Sequence, residues 1–373
     1  MDQTKETGRT RGILRRFGTN LSRLFISISI PLVTFWVLRW VFIFLRDSNA
    51  PKTVTAVVAI LWGVGGALAL FFVTNYIIDQ LGDEWKRRLT PYIFVGPALA
   101  ILAWYLVLPT IRSFVTSLYD ASGSTFIGID NYIFAFTSGP MLESFRNNLI
   151  WLTVGTGLSV ALGLIIAVLA DRTRSGFETF IKSLIFMPMA ISMVGASVIW
   201  KFIYNFRPAG AVQIGVLNAI VTALGGDPQA WMLLKPWNTF FLIAIMIWLQ
   251  TGFAMVILSA AIKGIPSELL EAGRIDGASE AQIFFRISIP HIRGTIVTVA
   301  TTIVLFTLKI FDIVQAMTGG NFGTQVIANE QYTQMFRAFN FGRGAAIAIV
   351  LLVLVTPVMY YNLRQFAQQT EAF

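Results

Sequence analysis

The chain has 373 residues, of which 55% are hydrophobic and only 13% are charged, and its mean hydropathy is +0.70. Soluble domains have roughly 45 to 50% apolar and about 25% charged residues, so the composition excludes a soluble globular protein. The net charge of +9 indicates basic cytoplasmic loops rather than a nucleic-acid partner. The absence of cysteine and the single histidine, His291, exclude disulfides, cysteine nucleophiles and multi-histidine metal sites.

Eight apolar stretches are long enough to cross a bilayer, which takes about 20 residues. Continuous apolar runs predict helices, because the strands of a membrane β-barrel alternate in polarity. The first stretch is longer than the roughly 7 to 15 apolar residues of a cleaved signal peptide and is predicted to remain as a span. The sequence predicts an all-α integral membrane protein with eight transmembrane helices, over residues 24–45, 53–78, 91–110, 148–170, 181–204, 238–262, 295–316 and 344–363.

The distribution of Lys and Arg predicts the orientation of these spans. About twice as many basic residues lie on the side of the N-terminus as on the other side, and cytoplasmic loops carry the excess. Both termini are therefore predicted to be cytoplasmic. Residues 111–147, 205–237 and 317–343 become external loops, and residues 263–294 form the one long cytoplasmic loop.

The first half of the cytoplasmic loop has the signals of a short helix. Pro266 is typical of a first helical turn, where its missing N–H is not needed, and Glu268 would lie near the positive end of the helix dipole. Gly277 can adopt the left-handed conformation that ends a helix. A helix followed by a glycine turn is therefore predicted.

The second half of the loop predicts another helix. Ser279 and Gln282 have the spacing of a capping box, which predicts a short helix over residues 281–287 before Pro290 turns the chain back to the bilayer. A helix, a glycine elbow and a second helix could fit into a groove on another protein. An ordinary amphipathic hairpin packed under the bundle fits the pattern equally well.

The same loop carries a spaced motif: Glu271-Ala272-Gly273, three residues, Gly277, nine residues, and Ile287-x-Ile289-Pro290. It resembles the coupling loop of ABC importer permeases of the carbohydrate (maltose and alpha-glucoside type) family, whose pattern is E-A-A, three residues, G, nine residues, I-x-L-P. Every spacing matches, although Gly273 replaces an alanine and Ile289 a leucine. The resemblance implies that the residues contacting an ATPase are Glu271, Ala272, Gly273, Asp276, Gly277, Ile287 and Pro290.

The resemblance extends over residues 91–363. Residues 126–132, 146–148, 311–312 and 317–320 look like external and helix-end segments of the same branch. The resemblance implies that the chain has two regions. Residues 1–90 would hold a cytoplasmic N-terminus and two accessory transmembrane helices, and residues 91–373 a six-helix permease core with the coupling loop 263–294.

The function implied by the resemblance is that of a non-enzymatic permease subunit of an ATP-driven, binding-protein-dependent importer of an oligosaccharide or glycoside. Its partners would be a second homologous permease, an ATPase dimer that carries ATP and Mg, a periplasmic or extracellular sugar-binding protein, and the lipid bilayer of a bacterial or archaeal cytoplasmic membrane. No cofactor is expected in this chain, and its sequence has no G-x-x-x-x-G-K-[ST] phosphate loop.

Three alternatives remain open. An ABC importer permease could carry a different solute. An ion-gradient-driven secondary transporter would need midplane carboxylates, for which Asp312 is the strongest candidate. A membrane enzyme is the least favoured alternative, because the sequence lacks a His, Cys or clustered acid constellation.

A neutral sugar would be bound by amides, hydroxyls and aromatic faces along the pathway through the membrane. In the maltose-type family the sugar contacts fall at positions that align with Gln250, Phe253, Ile303 and Thr307, of which Ile303 is apolar here. The candidate pathway residues are Trp200, Tyr204, Gln250, Phe253, Thr307 and Asp312.

Several of these candidates also have a structural interpretation. Trp200 and Tyr204 lie four residues apart at a helix end, where aromatic residues commonly anchor a helix at the membrane interface. Asp312 could pair with Lys309 three residues earlier on one helix face. Gln250 is predicted in mid-span, where an amide needs a partner.

Overall fold

A computed structural model of the chain describes residues 29–30, 32–79 and 83–370. It divides into two compact units, Met1–Pro109 and Thr110–Phe373, and the division falls inside one long helix. Within the described residues all regular elements are helical, apart from an isolated bridge between Tyr119 and Phe126. The predicted all-α architecture is confirmed.

Twelve helices are used below and are numbered in chain order. Three of them continue through π-helical turns, of which Trp151–Thr156 and Phe284–Ser288 matter most here. The bounds are α1 (32–47), α2 (Lys52–Asp79), α3 (Lys86–Thr116), α4 (Gly139–Asp171), α5 (Ser175–Ala190), α6 (Met193–Ile203), α7 (Trp237–Lys263), α8 (Ser267–Ile275), α9 (Glu280–Leu308), α10 (Asp312–Met317), α11 (Ile327–Tyr332) and α12 (Phe341–Thr370).

The first unit contains α1, α2 and most of α3. Residues 24–28 and 31 of the first predicted span, and the basic segment before it, lie outside the described residues. Trp62 Nε1 of α2 donates a hydrogen bond to the Leu38 carbonyl oxygen of α1 at 3.0 Å. Trp36 is 68% exposed, and many other large apolar residues of these helices are exposed as well. Such a broad apolar surface is suited to contact with lipid.

Six helices in the described part of the chain are long and apolar enough to cross a membrane, namely α2, α3, α4, α7, α9 and α12. The pair α5 and α6 passes the same criterion jointly but bends by 104°. The single straight span predicted over residues 181–204 is therefore wrong. The bend has a local cause, because Ser192 caps a new helix by accepting a hydrogen bond from the Gly195 N–H at 3.1 Å.

The second unit is built around α7, which is the most buried of the candidate spans. Two glycines allow neighbouring helices to approach it closely. A Cβ on Gly163 of α4 would lie 2.5 Å from the Cβ of Ala254, and a Cβ on Gly252 of α7 would lie 2.5 Å from the carbonyl oxygen of Ile185. Small residues at such crossings allow the backbones to pack together, as is common between membrane helices.

Candidate functional site

The loop at residues 263–294, which contains α8, the Gly277 turn and the start of α9, is called the elbow from here on. Pro266 occupies the N-cap position, one residue before the first helical turn in which it was predicted, and makes no side-chain capping bond. Glu268 lies in the first turn, where a carboxylate stabilises the helix dipole. Glu271, Ala272 and Asp276 are exposed. The helix therefore presents three residues of the predicted contact to its surroundings.

Gly277 ends α8 as the spacing predicted. Its φ is +76°, in the left-handed region that favours glycine. The Gly277 N–H donates to the Arg274 carbonyl at 3.1 Å, and the Ala278 N–H donates to the Gly273 carbonyl at 3.0 Å. These two bonds are those of a Schellman motif, which satisfies the last carbonyls of a helix.

The predicted capping box is also present. Ser279 Oγ accepts a hydrogen bond from the Gln282 N–H at 3.3 Å, and the Ser279 N–H donates to Gln282 Oε1 at 2.8 Å. The chain therefore leaves the elbow in a defined direction, because both groups at the start of α9 are satisfied reciprocally.

The prediction that Pro290 ends a short second helix is wrong. The helix that begins at Glu280 continues without interruption to Leu308. The π-helical turn Phe284–Ser288 lies directly before the proline. Such a turn widens the helix locally and changes the carbonyl pattern that the proline ring would otherwise meet, so the ring is accommodated without a break.

The two halves of the elbow contact each other at the motif residues. Gly273 is buried against the side chain of Ile287, which is partly buried. Across the turn, Arg274 Nε donates to Glu280 Oε1 at 2.9 Å, and Arg172 Nη2 of the turn after α4 lies 3.8 Å from Glu280 Oε2. The hydrogen bond to Glu280 raises the pKa of Arg274 above its usual value.

A charged cluster at the same end of α7 was missed by the sequence analysis. Lys182 Nζ lies 2.5 Å from Asp171 Oδ1 and 2.5 Å from Glu178 Oε1. Lys263 also binds Glu178, and Ser259 Oγ donates to Asp171 Oδ1 at 2.8 Å. The cluster joins the ends of α4, α5 and α7. Only the i, i+4 spacing of Glu178 and Lys182 was a local signal for it.

The aromatic pathway candidates lie together at the far end of α7. The rings of Trp200 and Tyr204 are 5.1 Å apart, and the ring of Trp248 lies 5.9 Å from that of Trp200. Tyr204 is buried, and its hydroxyl donates to the carbonyl of Phe241 at 2.9 Å. These contacts hold the end of α6 against α7.

Gln250 and Phe253 lie one turn apart on α7. Gln250 is only 8% exposed, and its amide makes no side-chain hydrogen bond within the described part of the chain. Phe253 is partly buried and packs against the hydrophobic core that includes Ile303. The amide atoms are not fully enclosed, so Gln250 is available to a polar ligand.

Thr307 and Asp312 lie on either side of a break in the chain. Thr307 is fully buried near the end of α9, and its hydroxyl donates to the Ile303 carbonyl at 2.8 Å. The helix ends at Leu308, and Lys309 and Phe311 have non-helical dihedral angles before Asp312 starts α10. The predicted pairing of Lys309 with Asp312 on one helix face is therefore wrong, as is the single span over 295–316.

An amide network fixes the turn after α10 to α4. Asn147 Nδ2 donates to the carbonyls of Gly323 and Gln325 at 2.9 and 2.8 Å. Asn148 Oδ1 accepts from the Ile327 N–H at 2.9 Å. All of these partners are more than 170 residues away along the chain, so no local pattern could have indicated them.

A buried carboxylate completes this network. Glu330 of α11 is 3% exposed. Its Oε2 accepts a hydrogen bond from Gln325 Nε2 at 2.6 Å, and its Oε1 accepts one from Gln334 Nε2 at 2.7 Å. The two amides satisfy the carboxylate and make the turn a rigid part of this end of the second unit.

The chain is similar in sequence to known transport proteins. The family model described as "Binding-protein-dependent transport system inner membrane component" matches residues 159–367. The permease protein GgtC of Synechocystis sp., named for uptake of osmoprotective compounds, is 58% identical over 277 residues, which are 74% of this chain and 99% of GgtC. The alpha-glucoside transport permease AglF of Rhizobium meliloti is 49% identical over 333 residues, 86% of this chain and 98% of AglF.

A solved structure shares the fold. One chain of a bacterial alginate ABC transporter, crystallised with a periplasmic protein bound to an alginate pentasaccharide, superposes with a TM-score of 0.66 at 20% identity, over 76% of this chain and 96% of that chain. The second unit thus has an ABC importer permease fold, and the apolar helices are those of a multi-pass inner-membrane protein. The chain belongs to the family of binding-protein-dependent transport system inner membrane components.

Proposed function

We propose that the chain is the permease subunit of an ATP-driven importer of a sugar, of the oligosaccharide or glycoside class, that is delivered by a binding protein. Family membership supports the transport role. The names of GgtC and AglF support a glycoside or other small osmoprotective solute. The observation that carries the proposal is the elbow, because its Schellman turn and capping box hold the family motif in one exposed, defined shape.

The elbow is the proposed docking element for the ATPase. Glu271, Ala272 and Asp276 would contact a groove of that partner, while Gly273, Gly277, Ile287 and Pro290 would maintain the shape of the elbow. ATP and Mg would bind to an ATPase dimer, and no cofactor is assigned to this chain. Closure of the two ATPase subunits would move the elbow and switch access to the pathway from one side of the membrane to the other.

The proposed arrangement has eight crossings and cytoplasmic termini. Six are the candidate spans, the seventh is the bent pair α5 and α6, and the eighth includes α1. Residues 1–90 would be accessory, and residues 91–373 would form one half of the translocation pathway, with a second homologous permease as the other half. The excess of basic residues on the elbow side supports this orientation.

Within the pathway, Gln250 is the proposed hydrogen-bonding contact to the sugar. The residue is only 8% exposed, and its amide reaches accessible space and makes no hydrogen bond in the described chain. Phe253 and Thr307 would line the same route, whereas Trp200, Tyr204 and Asp312 would shape its outer end. Amides next to aromatic faces are suited to sugar hydroxyls and pyranose rings.

The proposal is tested by the variant Glu271→Gln in the assembled complex in proteoliposomes. We expect sugar-stimulated ATP hydrolysis and uptake to fall at least ten-fold, with the complex still assembled. The matched control is Glu268→Gln, which removes an exposed carboxylate from the same helix outside the motif. Equal activity of the Glu271→Gln variant and the wild type, or uptake that persists without the ATPase, would contradict the proposal.

A further inference from the structure

A cavity of about 500 Å³ lies at the end of α7 that is opposite the elbow. It is bounded by the outer part of α4, the start of α7 and the turn around Gly323. Since α7 has 27 residues and a helix rises about 1.5 Å per residue, roughly 40 Å separate the cavity from the elbow. If the elbow faces the cytoplasm, this cavity opens on the other side of the membrane.

Two cations line the cavity, and neither has an acidic partner. Arg146 and Lys235 are exposed and form no ion pair within residues 83–370. Arg146 Nη2 makes only a long hydrogen bond, of 3.3 Å, to Asn147 Oδ1. Glu143, three residues before Arg146 on α4, accepts a hydrogen bond from the Gln325 N–H at 3.2 Å and forms no ion pair with Arg146 within the described residues. The cavity therefore has an excess of positive charge that favours an anionic group.

The wall of the cavity also offers a hydroxyl. Thr239 is 3% exposed, and its hydroxyl makes no hydrogen bond within the described residues. The neighbouring Asn238 is fully engaged, since its Nδ2 donates to the carbonyls of Met232 and Phe322 at 3.2 and 2.8 Å. The Thr239 hydroxyl is accessible from the cavity and can donate to a carboxylate bound there.

The rim of the cavity is held in a defined shape. Phe322 has a φ of +62°, which is unusual for a residue other than glycine, and its carbonyl is held by Asn238. A Cβ on Gly323 would lie 3.3 Å from Cε of Lys235, so glycine allows the lysine side chain to lie close along the turn. Binding would therefore require little reordering of the backbone.

We infer that this cavity receives an acidic side chain from the surface of the solute-binding protein, with Arg146 and Lys235 as its two cationic contacts and Thr239 as a hydroxyl donor. The inference rests on the proposed function. A protein partner is favoured over a free anion because Arg146 and Lys235 are exposed side chains, so a surface carboxylate of a large partner can reach both of them.

The electrostatic part of the inference can be tested without the solute-binding protein, and an introduced cysteine is the only thiol of this chain, because its sequence has no cysteine. Phe240→Cys places a thiol in the cavity wall, and Lys201→Cys places one at the end of α6 as a control. The reagents are sulfonatoethyl and trimethylammonioethyl methanethiosulfonate, applied to the assembled complex.

For each thiol, the rate of modification by the negative reagent is divided by the rate of modification by the positive reagent. We expect this ratio to be several-fold higher for the thiol in the cavity wall than for the control thiol. This excess should disappear when Arg146 and Lys235 are both changed to Gln, because the two cations attract the negative reagent. Equal ratios at the two thiols would overturn the inference.

The docking part is tested with the solute-binding protein that stimulates ATP hydrolysis by the wild-type complex. The double variant Arg146→Glu with Lys235→Glu should raise the concentration of binding protein that gives half-maximal stimulation at least ten-fold and leave the maximal rate unchanged. The dependence of this half-maximal concentration on salt should become weaker. Lys201→Glu should leave all three unchanged. An unaltered half-maximal concentration, or loss of the second permease from the purified complex, would overturn the inference. If no binding protein stimulates the wild type, the proposed function fails, while the thiol rates still report on the cavity.

Discussion

Gly273 and Ile287 approach so closely that a Cβ on Gly273 would lie 2.7 Å from Cδ1 of Ile287. The two residues belong to opposite halves of the family motif, and their contact closes the elbow. It also explains why a glycine is accommodated where the motif has alanine. The neighbouring atom is the end of a side chain that can rotate, so either residue can be fitted.

Substitution at Gly273 should therefore depend on size. Gly273→Ala gains about 1 kcal/mol of helix propensity and requires only a rotation of Ile287, so the stability of the complex should change by less than about 1 kcal/mol. Gly273→Leu has no room and should lower the midpoint of thermal unfolding and uncouple ATP hydrolysis from uptake. The thermal midpoint and the uptake are measured for both variants. Equal midpoints and equal uptake of Gly273→Ala and Gly273→Leu would contradict the packing argument.

The cluster around Lys182 should contribute more to stability than an exposed ion pair. Asp171 and Glu178 have side chains only 12% and 13% exposed, so Lys182→Met would leave these poorly solvated carboxylates with only Lys263 and Ser259 as partners. A loss larger than that of an exposed pair is expected, because Lys263 lies 3.9 Å from Asp171 and does not replace both contacts of Lys182.

A matched control for this prediction is Arg88→Met. Arg88 pairs with Glu84 at 2.7 Å, with side chains 68% and 69% exposed, and such pairs contribute about 0 to 1 kcal/mol. Chemical unfolding of the two variants gives the comparison. Adding Asp171→Asn should restore part of the stability lost in Lys182→Met, and similar small losses in both single variants would contradict the prediction.

Asn147 should be essential for the turn that borders the cavity. Asn147→Ala removes two hydrogen bonds and leaves the carbonyls of Gly323 and Gln325 without their side-chain partner, which is expected to cost about 1 to 3 kcal/mol. Hydrogen exchange should accelerate in residues 320–330. The control is Asn75→Ala, whose single bond to Asp79 is 3.5 Å long and exposed, and comparable exchange in both variants would refute the role of Asn147.

Substitution of Gln250 should lower transport without lowering stability. Because its amide makes no hydrogen bond in the described chain, Gln250→Leu should leave the thermal midpoint unchanged or raise it, while uptake falls at least ten-fold. Thr251→Val is the matched control, since its hydroxyl bonds the Ile247 carbonyl at 2.7 Å within the same helix. A fall of several degrees in the midpoint together with normal uptake would show that Gln250 is structural.

Local sequence signals predicted much of the elbow. Gly277 was identified by the conformation that a helix end requires, and Ser279 and Gln282 by the spacing of a reciprocal pair of hydrogen bonds. Both features depend on residues close to each other along the chain. Pro290 was misinterpreted because a proline usually interrupts a helix, and nothing in the sequence distinguishes a π-helical turn that accommodates it.

Features formed by distant parts of the chain could not be predicted. The bonds from Asn147 to Gly323 and from Lys263 to Glu178 join residues more than 80 positions apart. The bend between α5 and α6 did have a signal, because Pro188 and Ser192 lie inside the apolar run, but its hydropathy resembles that of a straight span.

The uninterrupted course of α9 has a mechanical consequence. From Glu280 to Leu308 the helix has 29 residues, or roughly 40 Å of continuous rod at about 1.5 Å per residue. A torque applied at the elbow would reach Thr307 as a tilt of the entire rod, because no joint at Pro290 absorbs it. The chain first becomes non-helical at Lys309, so we expect the rod to turn about this far end, beside the turn that Asn147 and Asn148 anchor.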